Sequence, residues 1–140
     1  KTHICINQDL TANEAIGTFL SAHGFNNHDL RFIGQPSDRA LPSLDQGLQL
    51  DAALIDGNHS FPIPIIDWHY MDIHLKEGGL FFVDDTHIRP AALVAEFMIK
   101  DSAYKFIKGI GCLKVFMKTC EHSWGWKGQK FNFPDEKSRN

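Results

Sequence analysis

Residues 50–60 read LDAALIDGNHS, and residues 77–87 read EGGLFFVDDTH. Each holds a short apolar run, at 52–55 and 80–83, that stops abruptly at acid: Asp56 in the first, Asp84 and Asp85 in the second. Apolar runs of this length bounded by Gly and Asp suit strands buried on both faces, as in a parallel sheet. The chain between them is about long enough for one crossover helix, the spacing of a βαβ unit. Both strands of such a unit point the same way, so their C-terminal ends share one edge. Open α/β sheets bind ligands at that edge. Three carboxylates are therefore expected at a binding edge.

The surrounding sequence extends the alternation. Residues 3–6 and 30–33 read as short strands, separated by a helix that carries Ala15, Ile16, Phe19, Leu20 and Ala22 on one side. Thr11 and Glu14 have the spacing of a capping box, and Gly24 is placed to stop that helix. Ser37 precedes a short helical turn before Pro42. Pro62 and Pro64 fall before or inside the first turn of a helix over about 65–75, where a missing N–H costs little. Its apolar residues, Ile65, Ile66, Met71, Ile73 and Leu75, are spread widely enough to predict burial, and Gly78 is placed to close it. Pro90 opens another helix, through about Ile99. The runs at 104–107 and 112–117 are joined by a short Gly-containing link, which predicts an antiparallel pair. From Thr119 onward the chain is polar, with Trp124, Trp126, Phe131 and Phe133 set among Gly and Lys. The first residue is Lys1, with a strand-like run almost at once, so upstream sequence is expected.

Composition narrows the function classes. With 140 residues, 43% hydrophobic and 22% charged, the chain fits one domain able to bury a core. A net charge of -3 gives no electrostatic footprint for nucleic acid or an anionic membrane. No apolar run approaches the roughly 20 residues that span a bilayer. The three cysteines form no metal-type pair, which suits a reduced, cytoplasmic protein.

The strand ending IDGNHS, followed by a helix and then KEGGLFFVDDTH, resembles the second half of a class I S-adenosylmethionine-dependent methyltransferase, most closely the small-molecule type. The resemblance covers roughly residues 3–118, which makes 1–118 a partial methyltransferase domain and leaves 119–140 as a polar C-terminal tail. It implies a Rossmann-like α/β sheet, mostly parallel with a C-terminal antiparallel hairpin, in the family order 3-2-1-4-5-7-6. The six runs would supply the family's strands 2, 3, 4, 5, 6 and 7 in chain order. Strand 1 and its Gly-rich turn, which cradles the cofactor's methionine end, have no counterpart in the sequence, so strands 2 and 4 should either leave a gap or pair directly.

The resemblance implies S-adenosylmethionine as cofactor, with Asn7 where the family often has an acid for the ribose, Gln35 or Ser37 beside adenine, and Asp56 nearby. It also implies a metal site at Asp56, Asp84 and Asp85. The chemistry supports that set, because Mg²⁺ prefers carboxylate and water oxygens and crowded acids need a compensating cation. His59, three residues after Asp56, is the candidate general base, since imidazole exchanges protons near neutrality. His87 is a candidate substrate contact or alternative ligand. Against these readings, Asp and Gly after a strand are common turn formers, and either of the paired acids would serve as a cap. His69 and His74 lack the i, i+4 spacing of a helical zinc site and receive no ligand role.

The expected activity is metal-assisted O-methylation of a small-molecule hydroxyl, with no nucleic-acid or membrane partner. A degenerate methyltransferase-like module kept for binding or assembly is the alternative. A haloacid-dehalogenase-type phosphatase fits less well, because its Asp-x-Asp is replaced by Asp56-Gly57-Asn58. A nicotinamide dehydrogenase lacks its Gly-rich turn.

Overall fold

The computed structural model describes residues 2–24 and 29–122, so Trp124, Trp126, Phe131 and Phe133 lie outside the described residues. The elements run β1 (His3–Ile6), α1 (Leu10–Ala22), β2 (Leu30–Ile33), α2 (Ser37–Ala40), a 3-10 turn (Leu41–Ser43), β3 (Leu50–Ile55), α3 (Ile63–His74), β4 (Leu75–Val83), α4 (Arg89–Lys100), β5 (Tyr104–Ile110) and β6 (Leu113–Lys118). They form two sheets. One is the parallel pair β1-β2, and the other has the order β3-β4-β6-β5. In the second, β3 and β4 are parallel and β6 runs antiparallel to both β4 and β5. Set side by side, β2-β1 and β3-β4-β6-β5 reproduce the methyltransferase order with its first strand left out. Of the two outcomes expected for that omission, the chain takes the gap: β1 and β3 belong to different sheets.

The core lies on one face of the larger sheet. Alternate residues Ala53, Ile55, Phe81, Val83 and Phe116 point to the side where α3 and α4 pack with Trp68, Ala91, Val94, Ala95 and Met98. The opposite face keeps Leu54 and Leu80 exposed. β4 is longer than its apolar run predicts. Leu75 leaves the helix and pairs with Leu50 while fully buried, and Gly78 adopts φ +79 inside the strand rather than closing α3. Gly79 is required at its position, because a Cβ there would meet Leu75 Cδ1 at 2.6 Å and the Lys76 carbonyl at 2.8 Å. The β5–β6 link is also tighter than expected. Both strands continue to Ile110 and Leu113, leaving a two-residue turn, Gly111-Cys112, with Gly111 at φ +59.

Two helices differ from their sequence reading. α1 is capped by Asp9, whose carboxylate accepts from the Thr11 and Ala12 amides, and not by Thr11. Its buried residue is Asn13, whereas Ile16 and Phe19 are exposed because the two-stranded sheet offers little to cover them. α3 is well buried, as predicted, but through Asp67, Trp68, Asp72 and His74, with Ile73 on the surface. The polar burial is satisfied in part by distant partners, with one oxygen each of Asp67 and Asp72 left without one. Trp68 Nε1 donates to the Tyr104 hydroxyl, which donates in turn to Asp72. Lys118 Nζ, fully buried, donates at 2.8 Å each to the Asp72 carbonyl, the Leu75 carbonyl and Glu121, and lies 3.6 Å from Asp72 Oδ1. Burial pushes the Asp72 carboxyl and the Tyr104 hydroxyl upward, with the hydrogen bond from Tyr104 and the charge of Lys118 opposing the shift at Asp72.

Candidate metal centre at the strand ends

The parallel pairing of β3 and β4 continues one residue past the strands, where the Asp84 amide donates to the Ile55 carbonyl at 2.9 Å. That bond fixes both strand ends at one level and places Asp56 beside the Asp84–Asp85 loop. After Asp56 the chain turns tightly, with the Asn58 side chain accepting from the Ser60 amide, before the cis Phe61-Pro62 bond leads into α3. This turn carries His59 back over the strand ends.

Asp56, His59 and Asp85 converge. Each offers one donor atom, and the three atoms lie within 4.8 Å of one another. His59 Nε2 sits 3.2 Å from Asp85 Oδ2, at ion-pair distance, yet this buried nitrogen has no partner in hydrogen-bond geometry. His87 approaches the other oxygen of the same carboxylate, with Nδ1 3.6 Å from Oδ1. Asp85 is therefore flanked by two imidazoles. It is also the one non-glycine among the described residues with a positive φ, at 50°. Asp tolerates the left-handed region better than most residues, but the conformation still costs energy and recurs at functional sites.

Asp84, expected beside Asp56 and Asp85, is not in this cluster. Its carboxylate turns back to accept from the Asp85 amide at 2.8 Å. His59 takes the third place instead. The set is two carboxylates and one imidazole, a donor combination suited to a divalent ion such as Mn²⁺. A buried ring nitrogen without an aligned partner, facing two carboxylates, fits a cation among the three. Sequence type alone does not separate Asp84 from Asp85, because both are acids at the end of the same strand. The difference is made by backbone geometry.

Of the residues predicted to face the cofactor, Asp56 is in the cluster, while Asn7, Gln35 and Ser37 follow β1 and β2. Asn7 follows β1, and its side chain accepts from the Asp9 amide, while its carbonyl accepts from the buried Asn13. Gln35 follows β2 and is exposed. Ser37 opens α2 on the side of Asp67 in α3, whose carboxyl burial pushes upward while the nearby Ser37 opposes the shift.

A methyltransferase domain family model matches residues 2–86, which include β1 to β4 and the acids that follow them. The chain belongs to this methyltransferase domain family. Solved structures agree on the fold. The O-methyltransferase TomG of Streptomyces achromogenes, involved in tomaymycin synthesis and solved in complex with S-adenosylmethionine, superposes with a TM-score of 0.67 at 16% identity, over 85% of this chain and 62% of that one. An rRNA methylase from Streptococcus thermophilus gives 0.62 at 14% identity, over 85% and 74%. A Corynebacterium glutamicum protein gives 0.66 at 15% identity, over 87% and 62%. At these identities the likeness establishes the Rossmann-like class I fold. The chain spans less than two thirds of the length of two of these three proteins. No relative matches among curated protein sequences. No helix among the described residues is long and apolar enough to cross a membrane.

Proposed function

We propose that this domain serves an S-adenosylmethionine-dependent O-methyltransferase acting on a small-molecule hydroxyl, with a divalent cation held by Asp56, His59 and Asp85. The observation that carries the metal part is the convergence of these three donors within 4.8 Å around a buried, unaligned imidazole nitrogen. Family membership supports S-adenosylmethionine as the methyl donor, and the O-methyltransferase neighbour with S-adenosylmethionine bound supports the reaction type. The net charge of -3 favours a small acceptor over RNA, although an rRNA methylase shares the fold. Asn7, Gln35 and Ser37 are proposed for the ribose and adenine side, and Asp56 borders both cofactor and cation.

A bound cation would polarise an acceptor hydroxyl and make its oxygen a nucleophile near neutral pH. The chain's residues supply orientation. Asp56 and Asp85 fix the oxygen's place at the strand ends, Asp84 holds the Asp85 backbone, and His87 stands at the exposed side. A second reading keeps His59 as general base, favoured by its 3.2 Å approach to Asp85, because a carboxylate beside an imidazole helps to orient it. His59→Ala separates the two. Weakened Mn²⁺ binding identifies a ligand, and intact Mn²⁺ binding with lost turnover identifies a base.

The test of the function is transfer of label from methyl-labelled S-adenosylmethionine to a panel of catechols and sugar hydroxyls by the full-length protein. Cation-dependent transfer, abolished in Asp56→Ala, is expected. Transfer insensitive to chelator would contradict the metal role. Failure of the full-length protein to bind S-adenosylmethionine by calorimetry would favour the non-catalytic module.

A further inference from the structure

Asp85 sits between two tied residues. On its N-terminal side, Asp84 is bonded through its amide to the Ile55 carbonyl and through its side chain to the Asp85 amide. On its C-terminal side, Thr86 is fastened to the β5–β6 turn. Both the Thr86 amide, at 3.0 Å, and the Thr86 hydroxyl, at 2.6 Å, donate to the carbonyl of Cys112. The Asp85 carbonyl meanwhile accepts from the Ile88 amide at 2.8 Å, closing the turn into α4.

A left-handed φ at a non-glycine residue persists only where the surroundings over-determine it. Here the surroundings are identifiable. β3 holds one side of the loop and the Gly111-Cys112 turn holds the other, so the Asp85 side chain is aimed at His59 and Asp56 by anchors on both flanks. The hairpin is thereby joined to the strand-end cluster through both the amide and the hydroxyl of Thr86.

We infer that Thr86 is a positioning residue for the cation site, acting through Asp85 by anchoring its loop to the Cys112 carbonyl. The inference rests on the metal reading above. Residues that orient a metal ligand without touching the metal commonly change affinity by 10–100-fold when replaced. Thr86 performs that task through the backbone, because its double bond to Cys112 fixes where the preceding residue points. The identity of residue 112 matters little to this role, since its main-chain carbonyl is the acceptor.

The test compares Mn²⁺ affinity of the wild type, Thr86→Val and Thr86→Ser by calorimetry, with thermal unfolding of each protein measured free of metal. Thr86→Val keeps the shape and the amide bond but removes the hydroxyl, and its Mn²⁺ affinity should fall about 10-fold. Thr86→Ser restores the hydroxyl and should return affinity to near the wild-type value. Equal affinities in all three proteins would overturn the positioning role alone. Loss in Thr86→Val that Thr86→Ser fails to rescue would also overturn it, because restoring the hydroxyl would then not restore the site. Absence of Mn²⁺ binding by the wild type would overturn the metal reading and this inference together.

Discussion

Lys118→Met removes a fully buried ammonium that satisfies the end of α3, and its cost can be worked from the contacts. The ammonium donates to two main-chain carbonyls, of Asp72 and Leu75, and to Glu121, and it faces the Asp72 carboxylate at 3.6 Å. Methionine fills most of the volume but leaves both carbonyls and the carboxylate without a cation. An orphaned buried acceptor costs about 1–3 kcal/mol, and breaking a buried pair from one side typically costs about 3–5 kcal/mol. The two figures describe overlapping losses, so about 3–5 kcal/mol in total is expected. That is a large part of the roughly 5–15 kcal/mol that holds a domain folded.

Burial already pushes Asp72 upward, and loss of Lys118 removes an opposing influence. The folded state of the variant should therefore hold a proton on Asp72 that the unfolded chain releases. Stability then falls as pH rises through the unfolded carboxylate range toward the folded value, so the deficit is smaller at pH 4–5 than at about pH 7. Urea unfolding followed by circular dichroism at both pH values measures this directly. Adding Asp72→Asn to Lys118→Met should recover part of the loss at neutral pH. A deficit below about 1 kcal/mol, the scale of a surface pair, or one independent of pH, would refute the reasoning.

Two further substitutions test other parts of the account. Asp85→Gly relieves the left-handed backbone, so stability should stay within about 1 kcal/mol of wild type or rise, while Mn²⁺ binding is lost. Unfolding and calorimetry together would show stability and function moving apart. Gly79→Ala places a methyl within 2.6–2.8 Å of Leu75 and the Lys76 carbonyl, a backbone obstacle that cannot swing aside, and should cost about 1–3 kcal/mol in urea unfolding.

The parts of this fold written locally were legible. The runs at 52–55 and 80–83 marked their strands, and the acids after them marked the edge, but burial on both faces was not met, because Leu54 and Leu80 on the second face are exposed. The mixed order of the larger sheet followed from the family likeness of these motifs. What escaped depended on contacts far apart in sequence. Asp72 and Trp68 look like solvent-facing or ambiguous helix positions until Tyr104 and Lys118 are placed beside them. Leu75 looks helical until Leu50 pairs with it. At the site, Asp84 and Asp85 are chemically identical, and only the left-handed turn at Asp85 sends one to the cluster and the other back to the loop. The anchor of Thr86 on Cys112 had no sequence signal, because its acceptor is a main-chain carbonyl 26 residues away.

The central claim is that Asp56, His59 and Asp85 form a cation site while Asp84 shapes the loop. Calorimetric titration of Mn²⁺ into the wild type, Asp56→Asn, Asp85→Asn and Asp84→Asn tests it most directly. Asn at 84 keeps an oxygen to accept from the Asp85 amide, so that variant should bind within a few-fold of wild type, whereas Asp56→Asn and Asp85→Asn should each lose at least tenfold. A pattern in which Asp84→Asn loses binding and Asp85→Asn retains it would contradict the account.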